Sequence, residues 1–366
     1  MQCLHHKAES ERLHENAEGC CPPIAFRDRP CRQAQLQAAL KTFQQALANA
    51  QANNDCVGQV QLLKRIGLVH CKLGEYAWGI KRLEQALQMA HLMENWASVG
   101  VILNYIGTAY RQTSQEHKAL RVYLRALAIF KDRGDEAGVA RICNQLGEIY
   151  NSFRQSEQAL LCCRQALKLF QDLGNFPHGE AVALHNIGQA YCQLGRHRPA
   201  LALFDQALVI CNKIRDRKTQ AMLLESIGTT YVKLDQEQRA LDFYQQALEI
   251  RQEVGELPNA EARSLNYIGA VYYKLGNHSR ALWYHLQALG ILQALNHTAG
   301  KEWFFYNTAD SERLLHHLVA VYDCLNLHEQ GVKCYQEAVE IVKTFGDSAT
   351  EEAILHYFEQ DSSQSE

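Results

Sequence analysis

A ten-residue string, LNYIGTAYRQ at residues 103–112, returns 162 residues later as LNYIGAVYYK at 265–274. Self-similarity at a fixed period constrains a chain more than local propensity does, because each unit must bury its apolar face on copies of itself. Degraded forms of the string run through the chain as an apolar residue, a glycine and an aromatic four positions after the apolar residue: Ile66-Gly67 with His70, Ile106-Gly107 with Tyr110, Leu146-Gly147 with Tyr150, Ile187-Gly188 with Tyr191, Ile227-Gly228 with Tyr231, Ile268-Gly269 with Tyr272, and Leu318-Val319 with Tyr322. The spacings are 40, 40, 41, 40, 41 and 50. A second signature keeps step with the first: a small residue, a bulky one four on, and an alanine three further. Examples are Ala119/Tyr123/Ala126, Ala200/Phe204/Ala207 and Ala240/Tyr244/Ala247.

Apolar residues inside each unit recur at helical spacing, as in Leu201, Phe204, Ala207 and Leu208, so each repeat holds amphipathic helices. KLGEY (72–76), QLGRHRP (193–199) and KLGNH (274–278) separate a helix A from a helix B, and RGDEAG (133–138) and LGNFPHG (173–179) separate one repeat from the next. Glycine in such breaks takes the left-handed conformation that ends a helix. The period therefore predicts an all-α array of helix-turn-helix units. Gly107 and Ala119 are expected to let helices A and B approach, with Tyr110 and Tyr123 filling the space beside them.

This pattern resembles the tetratricopeptide repeat, and the 40-residue period with its Asn-x-Ile-Gly string is similar to the subclass of kinesin light chain and the Leu-Gly-Asn polarity adaptors. The resemblance implies a right-handed superhelical solenoid over residues 34–345, with an orphan first helix near 32–50 and about seven repeats. Residues 1–33 are expected to be a flexible segment, since the prolines of CCPPIAFRDRPC (20–31) exclude a regular first helix A. SATEEAILHYFE (348–359) opens with Ser348 and Glu351 as a capping box, which predicts a terminal capping helix followed by a polar tail within 346–366. Thr113-Ser114 and Phe153-Arg154 replace Leu-Gly at the turn, and His285 stands at an aromatic position. The step of 50 comes from an insertion near 296–309 that carries Trp303, Phe304, Phe305 and Tyr306. These aromatics cannot all share one helix face, and are expected to wedge between repeats or to form a binding patch.

Composition narrows the function. A net charge of −3 and a pI near 6.6 give no global basic field for nucleic-acid phosphates. No apolar run approaches the roughly 18 residues of a membrane span, and the N-terminus lacks the apolar centre of a secretory signal, so a cytoplasmic protein is expected. Most of the 13 cysteines fall where a small apolar residue fits a helix, which points to free thiols in a reducing compartment. There is no phosphate-cradling glycine loop, no His-Glu-x-x-His helix and no nucleophile elbow. Cys3, His5, His6, Cys20, Cys21 and Cys31 lack the spacing that lets paired thiolates face one ion, and His316 and His317 point about 100° apart, so neither a metal nor a cofactor is expected.

In such arrays helix A lines the concave face. The residue three before each repeat glycine is Lys64, Asn104, Asn144, His185, Glu225, Asn266 or His316, and it is expected to face the groove. The resemblance implies that Asn104, Asn144 and Asn266 contact an extended peptide; the alternative is that such a residue only solvates a helix face. Neighbouring groove positions supply Arg65, Lys72, Arg111, Gln112, Glu148, Asn151, Asn186, Gln189, Gln193, Lys233 and Lys274, with Arg141, Arg263 and Arg313 a turn earlier. The excess of cations favours an acidic peptide or protein segment. The sequence thus points to a non-enzymatic adaptor. A regulatory sensor that binds a signalling peptide and changes superhelical pitch is the second reading.

Overall fold

A computed structural model describes residues 29–255 and 258–299, together with Leu314, His317, Leu318, Ala320, Val321, Tyr322, Cys324 and Leu325. The expectations for the N-terminal Cys/His segment, the aromatic insertion and the terminal capping helix lie outside these residues. The described chain runs α1 (Arg29–Ala52), α2 (Cys56–Lys72), α3 (Tyr76–Leu92), α4 (Trp96–Gln112), α5 (Glu116–Asp132), α6 (Glu136–Ser152), α7 (Ser156–Leu173), α8 (Pro177–Gln193), α9 (His197–Ile214), α10 (Arg217–Val232), α11 (Glu237–Val254), α12 (Pro258–Lys274) and α13 (His278–Ala299). No strand occurs among the described residues. The even-numbered helices are the A helices and α3 to α13 the B helices. α1 has the small-bulky-Ala register of a B helix, with Ala39, Phe43 and Ala46.

Local chemistry sets the boundaries. Asp55, Asn95, Asp135 and Asp216 each accept a hydrogen bond from the backbone N–H three residues on, and so cap α2, α4, α6 and α10. Pro177 starts α8, where its missing N–H costs nothing. Each A helix ends in a left-handed residue, Gly74, Ser114, Arg154, Gly195, Asp235 or Gly276. The next N–H then donates back to the carbonyl of the repeat's aromatic position, as in Gln115 to Tyr110, Gln155 to Tyr150 and Arg196 to Tyr191. The aromatic position therefore anchors the turn through its backbone.

The bulky B residue fills the space between paired helices, and the repeat glycine is its seat. A Cβ on Gly107 would lie 2.5 Å from the Tyr123 ring, one on Gly188 2.4 Å from Phe204, and one on Gly228 2.8 Å from Tyr244. Tyr123 and Phe204 are fully buried, and the half-buried Tyr110 packs against the same cluster as Tyr123 and Ala119. Phe130 packs on Gly100 of its own repeat and on Gly138 of the next, and Phe170 likewise reaches Gly179 of the following repeat. One apolar cluster spans α1 to α7, and a separate one starts in α8 at Ala181. Burial pushes the Cys71, Cys143 and Cys211 thiols up to about 11, as befits cysteines packed as small apolar groups.

Candidate functional site

Each A helix touches the A helix of the next repeat as well as its own B helix, so the A helices tile one continuous inner face. The hydrogen bonds show which side of each helix meets which neighbour. Residues three before and four after the repeat glycine face the following A helix, and residues two before and five after it face the preceding one.

Between α6 and α8 this arrangement closes a zipper of four carboxamides. Gln193 Nε2 donates to the Asn151 carbonyl at 2.7 Å, Asn151 Nδ2 to the Asn186 carbonyl at 2.9 Å, Asn186 Nδ2 to the Asn144 carbonyl at 3.3 Å, and Asn144 Nδ2 to the Gly179 carbonyl at 3.0 Å. Every carboxamide but the last donates to the backbone carbonyl of another carboxamide residue, and the pair on each helix stands seven residues apart. The zipper lies where one apolar cluster ends and the next begins, so polar bonds join what the hydrophobic core leaves divided.

Other seams use different groups at the same register. Arg111 at the end of α4 pairs with Glu148 of α6. His185 of α8 meets Ser226 of α10 at 2.8 Å, and Cys192 Sγ lies 3.2 Å from Thr230 Oγ1. Glu225 of α10 is gripped by Arg251 of α11, accepts from the Ser264 hydroxyl of α12, and lies 3.7 Å from Arg263 Nε. Asn266 Oδ1 accepts from His317 Nδ1 at 3.0 Å.

These bonds correct the expectation for the residue three before the glycine. Asn144, His185, Glu225 and Asn266 are 3 to 5% exposed and turn into the seam between repeats, not toward an open groove. The physical reason is spacing: neighbouring A helices pack so closely that this side of the helix is covered. Asn186, at 1% exposure, is likewise a seam residue, and Arg111 and Arg263 are held by Glu148 and Glu225. Lys64, Asn104 and Gln189 are half-buried, and burial, with Arg65 beside it, holds the Lys64 ammonium below its usual range. Arg65, Arg141, Lys233 and Lys274 are exposed. Arg65 lies over the Phe43 ring of α1 at 5.8 Å, and Lys274 Nζ stands 3.7 Å from Glu237.

What remains on the inner surface is the strip one residue after each glycine, Leu68, Thr108, Glu148, Gln189, Thr229 and Ala270, all half-buried and polar at the four middle positions. Thr108 and Thr229 hydroxyls meet Tyr123 and Tyr244 at 3.0 and 2.9 Å. The sixth residue of the LNYIG-type string and its neighbours thus present a polar, largely pre-bonded floor. At its edge, five residues after the glycine, stand the exposed polar residues Lys72, Gln112, Ser152, Gln193, Lys233 and Lys274, with no acid among them, of which Ser152 already donates to the Ile149 carbonyl, Gln193 to the Asn151 carbonyl, and Lys274 lies beside Glu237. No group of histidine, cysteine and carboxylate residues suited to a metal occurs among the described residues, and none of the described helices is long and apolar enough to cross a membrane.

The family model described as Tetratricopeptide repeat matches residues 58–132, 136–213 and 219–294. No curated protein matches the chain by sequence. Among solved structures, a Rap protein complexed with competence and sporulation factor is 15% identical, with a TM-score of 0.57 over 86% of this chain and 98% of its own. A STAND protein with a tetratricopeptide repeat sensor, from Pyrococcus horikoshii, is 15% identical with a TM-score of 0.54 over 83% of this chain and 46% of the longer protein. BtubC (BKLC) from P. vanneervenii is 21% identical with a TM-score of 0.50 over 64% of this chain and 91% of its own. At such identities these neighbours share the fold.

Proposed function

Because the chain belongs to the tetratricopeptide repeat family, we propose that it is a non-enzymatic docking scaffold whose inner face holds an extended segment of a partner protein. The observation that carries this reading is the continuous floor of A helices, sealed at its seams and edged by the polar row from Lys72 to Lys274. A floor whose own polar groups are already bonded is preorganised, so little ordering is left for binding to cost. The polar row matches an extended backbone or acidic side chains better than an apolar helix. A sensor role is the second reading, favoured by the fold shared with a Rap protein whose structure is complexed with competence and sporulation factor.

Photo-crosslinking tests the docking face. A photoreactive residue at Gln189 on the inner strip should trap a partner that one at Leu161, 72% exposed on α7, does not. Trapping from Leu161 alone would move the docking surface to the outer helices.

A further inference from the structure

The α1 helix differs from every later B helix in how it begins. Those start three residues before the small residue of their register, at Tyr76, Glu116, Ser156, His197, Glu237 and His278, each after the turn that closes a helix A. α1 starts at Arg29, so residues 29–35, which in that register would end a helix A and make its turn, are the first turns of α1 itself. Among the described residues no helix A is paired with α1. Its Ala39, Phe43 and Ala46 are half-buried, whereas the same three positions are buried in all six later B helices.

α2, which packs on α1 as each A helix packs on the B helix before it, is open on the same side. The residue two before the repeat glycine faces the preceding A helix, and in the later repeats Tyr105, Gln145, Asn186, Ser226 and Tyr267 are buried or half-buried there. In α2 that residue is Arg65, and it is exposed. Its guanidinium lies over the Phe43 ring at 5.8 Å, so the open seam and the open seat are two walls of one groove. Lys72 completes with Arg65 the pair that Asn186 and Gln193 make in α8, where they donate to the Asn144 and Asn151 carbonyls.

Charge selects the occupant. Neither α1 nor α2 contains an acidic residue, while together they carry six cations, Arg29, Arg32, Lys41, Lys64, Arg65 and Lys72, in a chain whose net charge is −3. A second copy of this end would bring like charges together, and a neutral helix would leave Arg65 and Lys72 unanswered. The repeats supply the remaining rule: a glycine sits on the bulky B residue, and the residues three before and four after it meet the two seam positions.

We propose that the groove between α1 and α2 docks an acidic helix of a partner protein in the place of a helix A, with a glycine on Phe43 and carboxylates three residues before and four after it toward Arg65 and Lys72. This goes beyond the inner-face reading, because it adds a second surface at the N-terminal end of the array.

A labelled peptide with the sequence of α6, residues 136–152, in which Asn144→Glu and Asn151→Glu place acids around Gly147, is the probe. In fluorescence anisotropy it should bind the full chain saturably, and the same peptide with Asn144→Lys and Asn151→Lys should bind at least about tenfold more weakly. Gly147→Leu in the acidic peptide should also weaken it by at least about tenfold, because the leucine meets the Phe43 ring. Arg65→Glu in the protein should weaken the acidic peptide by about tenfold or more and tighten the lysine peptide. Lys168→Glu, exposed on α7, should change neither by more than about twofold. Both variants should melt with the parent, since both side chains are exposed. Absence of binding by the acidic peptide, indifference to Gly147→Leu, or unchanged affinity in Arg65→Glu would overturn the proposal, while the Gln189 crosslink judges the inner face separately. No peptide binding together with a lowered melting temperature of Arg65→Glu alone would give the groove to residues 1–28 of this chain. A dimer seen by ultracentrifugation and lost in Arg65→Glu would give it to a second copy, and either result would overturn the partner helix.

Discussion

Arg251 holds Glu225 with two parallel hydrogen bonds, Nε to Oε1 at 3.0 Å and Nη2 to Oε2 at 2.8 Å, and the side chains are 2% and 7% exposed. The pair ties α10 to α11, and through Ser264 to the next repeat. Removing one partner strands a charge in a place water does not reach. Glu225→Ala should therefore cost about 3–5 kcal/mol, while Glu225→Leu with Arg251→Met should recover most of it. Urea unfolding midpoints of the three proteins decide the point; equal midpoints for single and double variants would mean that the charge is solvated.

The carboxamide zipper gives a second prediction. Asn186→Ala removes the donor to the Asn144 carbonyl and should lower stability by about 0.5–1.5 kcal/mol. Asn151 Nδ2 donates to the Asn186 backbone carbonyl, which alanine keeps but whose position the Asn186 side-chain bond helps to fix, so the two alanine variants should couple by at least about 0.5 kcal/mol in a double-mutant cycle. Strict additivity of the two losses would show that the four bonds act independently.

Acid should loosen the array through two histidines. Burial pushes His185 down to about 4, and burial together with His317 pushes His285 to about 3, both from 6.5. Below 6.5 the unfolded chain takes up protons that the folded chain refuses, so stability is full above that pH. It falls by about 1.4 kcal/mol per pH unit for each histidine on the way to pH 4. His285 also has no partner on either ring nitrogen. His285→Phe, which copies Phe204 over its glycine, should raise stability at pH 8 and roughly halve the acid slope. Chemical denaturation at pH 8, 6 and 5 reads both effects.

A smaller gain is expected at Ser114, held at φ 52° where Gly74, Gly195 and Gly276 stand in three of the other turns between helices A and B. Ser114→Gly should stabilise by about 0.4–1 kcal/mol, the left-handed strain relieved minus the extra freedom of the unfolded glycine. A lowered melting temperature would mean that the serine side chain has a compensating role.

The repeat core was legible in the sequence because its rule is local: Gly107 and Tyr123 lie 16 residues apart in one helical pair, and the pattern recurs in phase. The helix of α1 was legible from the same register, which Ala39, Phe43 and Ala46 carry. The seams were not read, because Asn144 meets Gly179 and Asn186 meets Asn144 across 35 and 42 residues, and no helical period links such positions. A signal did exist. Asn144 and Asn151 stand seven apart, as do Asn186 and Gln193 one period later, which is what two helices joined side by side by carboxamides require. Glu225 likewise stood out as an acid among cations and neutral residues, and the cation it answers to, Arg251, sits in a different helix.

The Glu225 seam also bears on how a chain of this kind can change its number of repeats over generations. Loss of residues 227–267, one full period of 41, would restore every glycine seat and leave the cores in register. It would also remove Arg251, Arg263 and Ser264 together and bring Leu292 into the position of Arg251. A copying error that the apolar core would accept is thus rejected by one carboxylate, and the periods of this protein are inherited as matched neighbours, not as interchangeable parts.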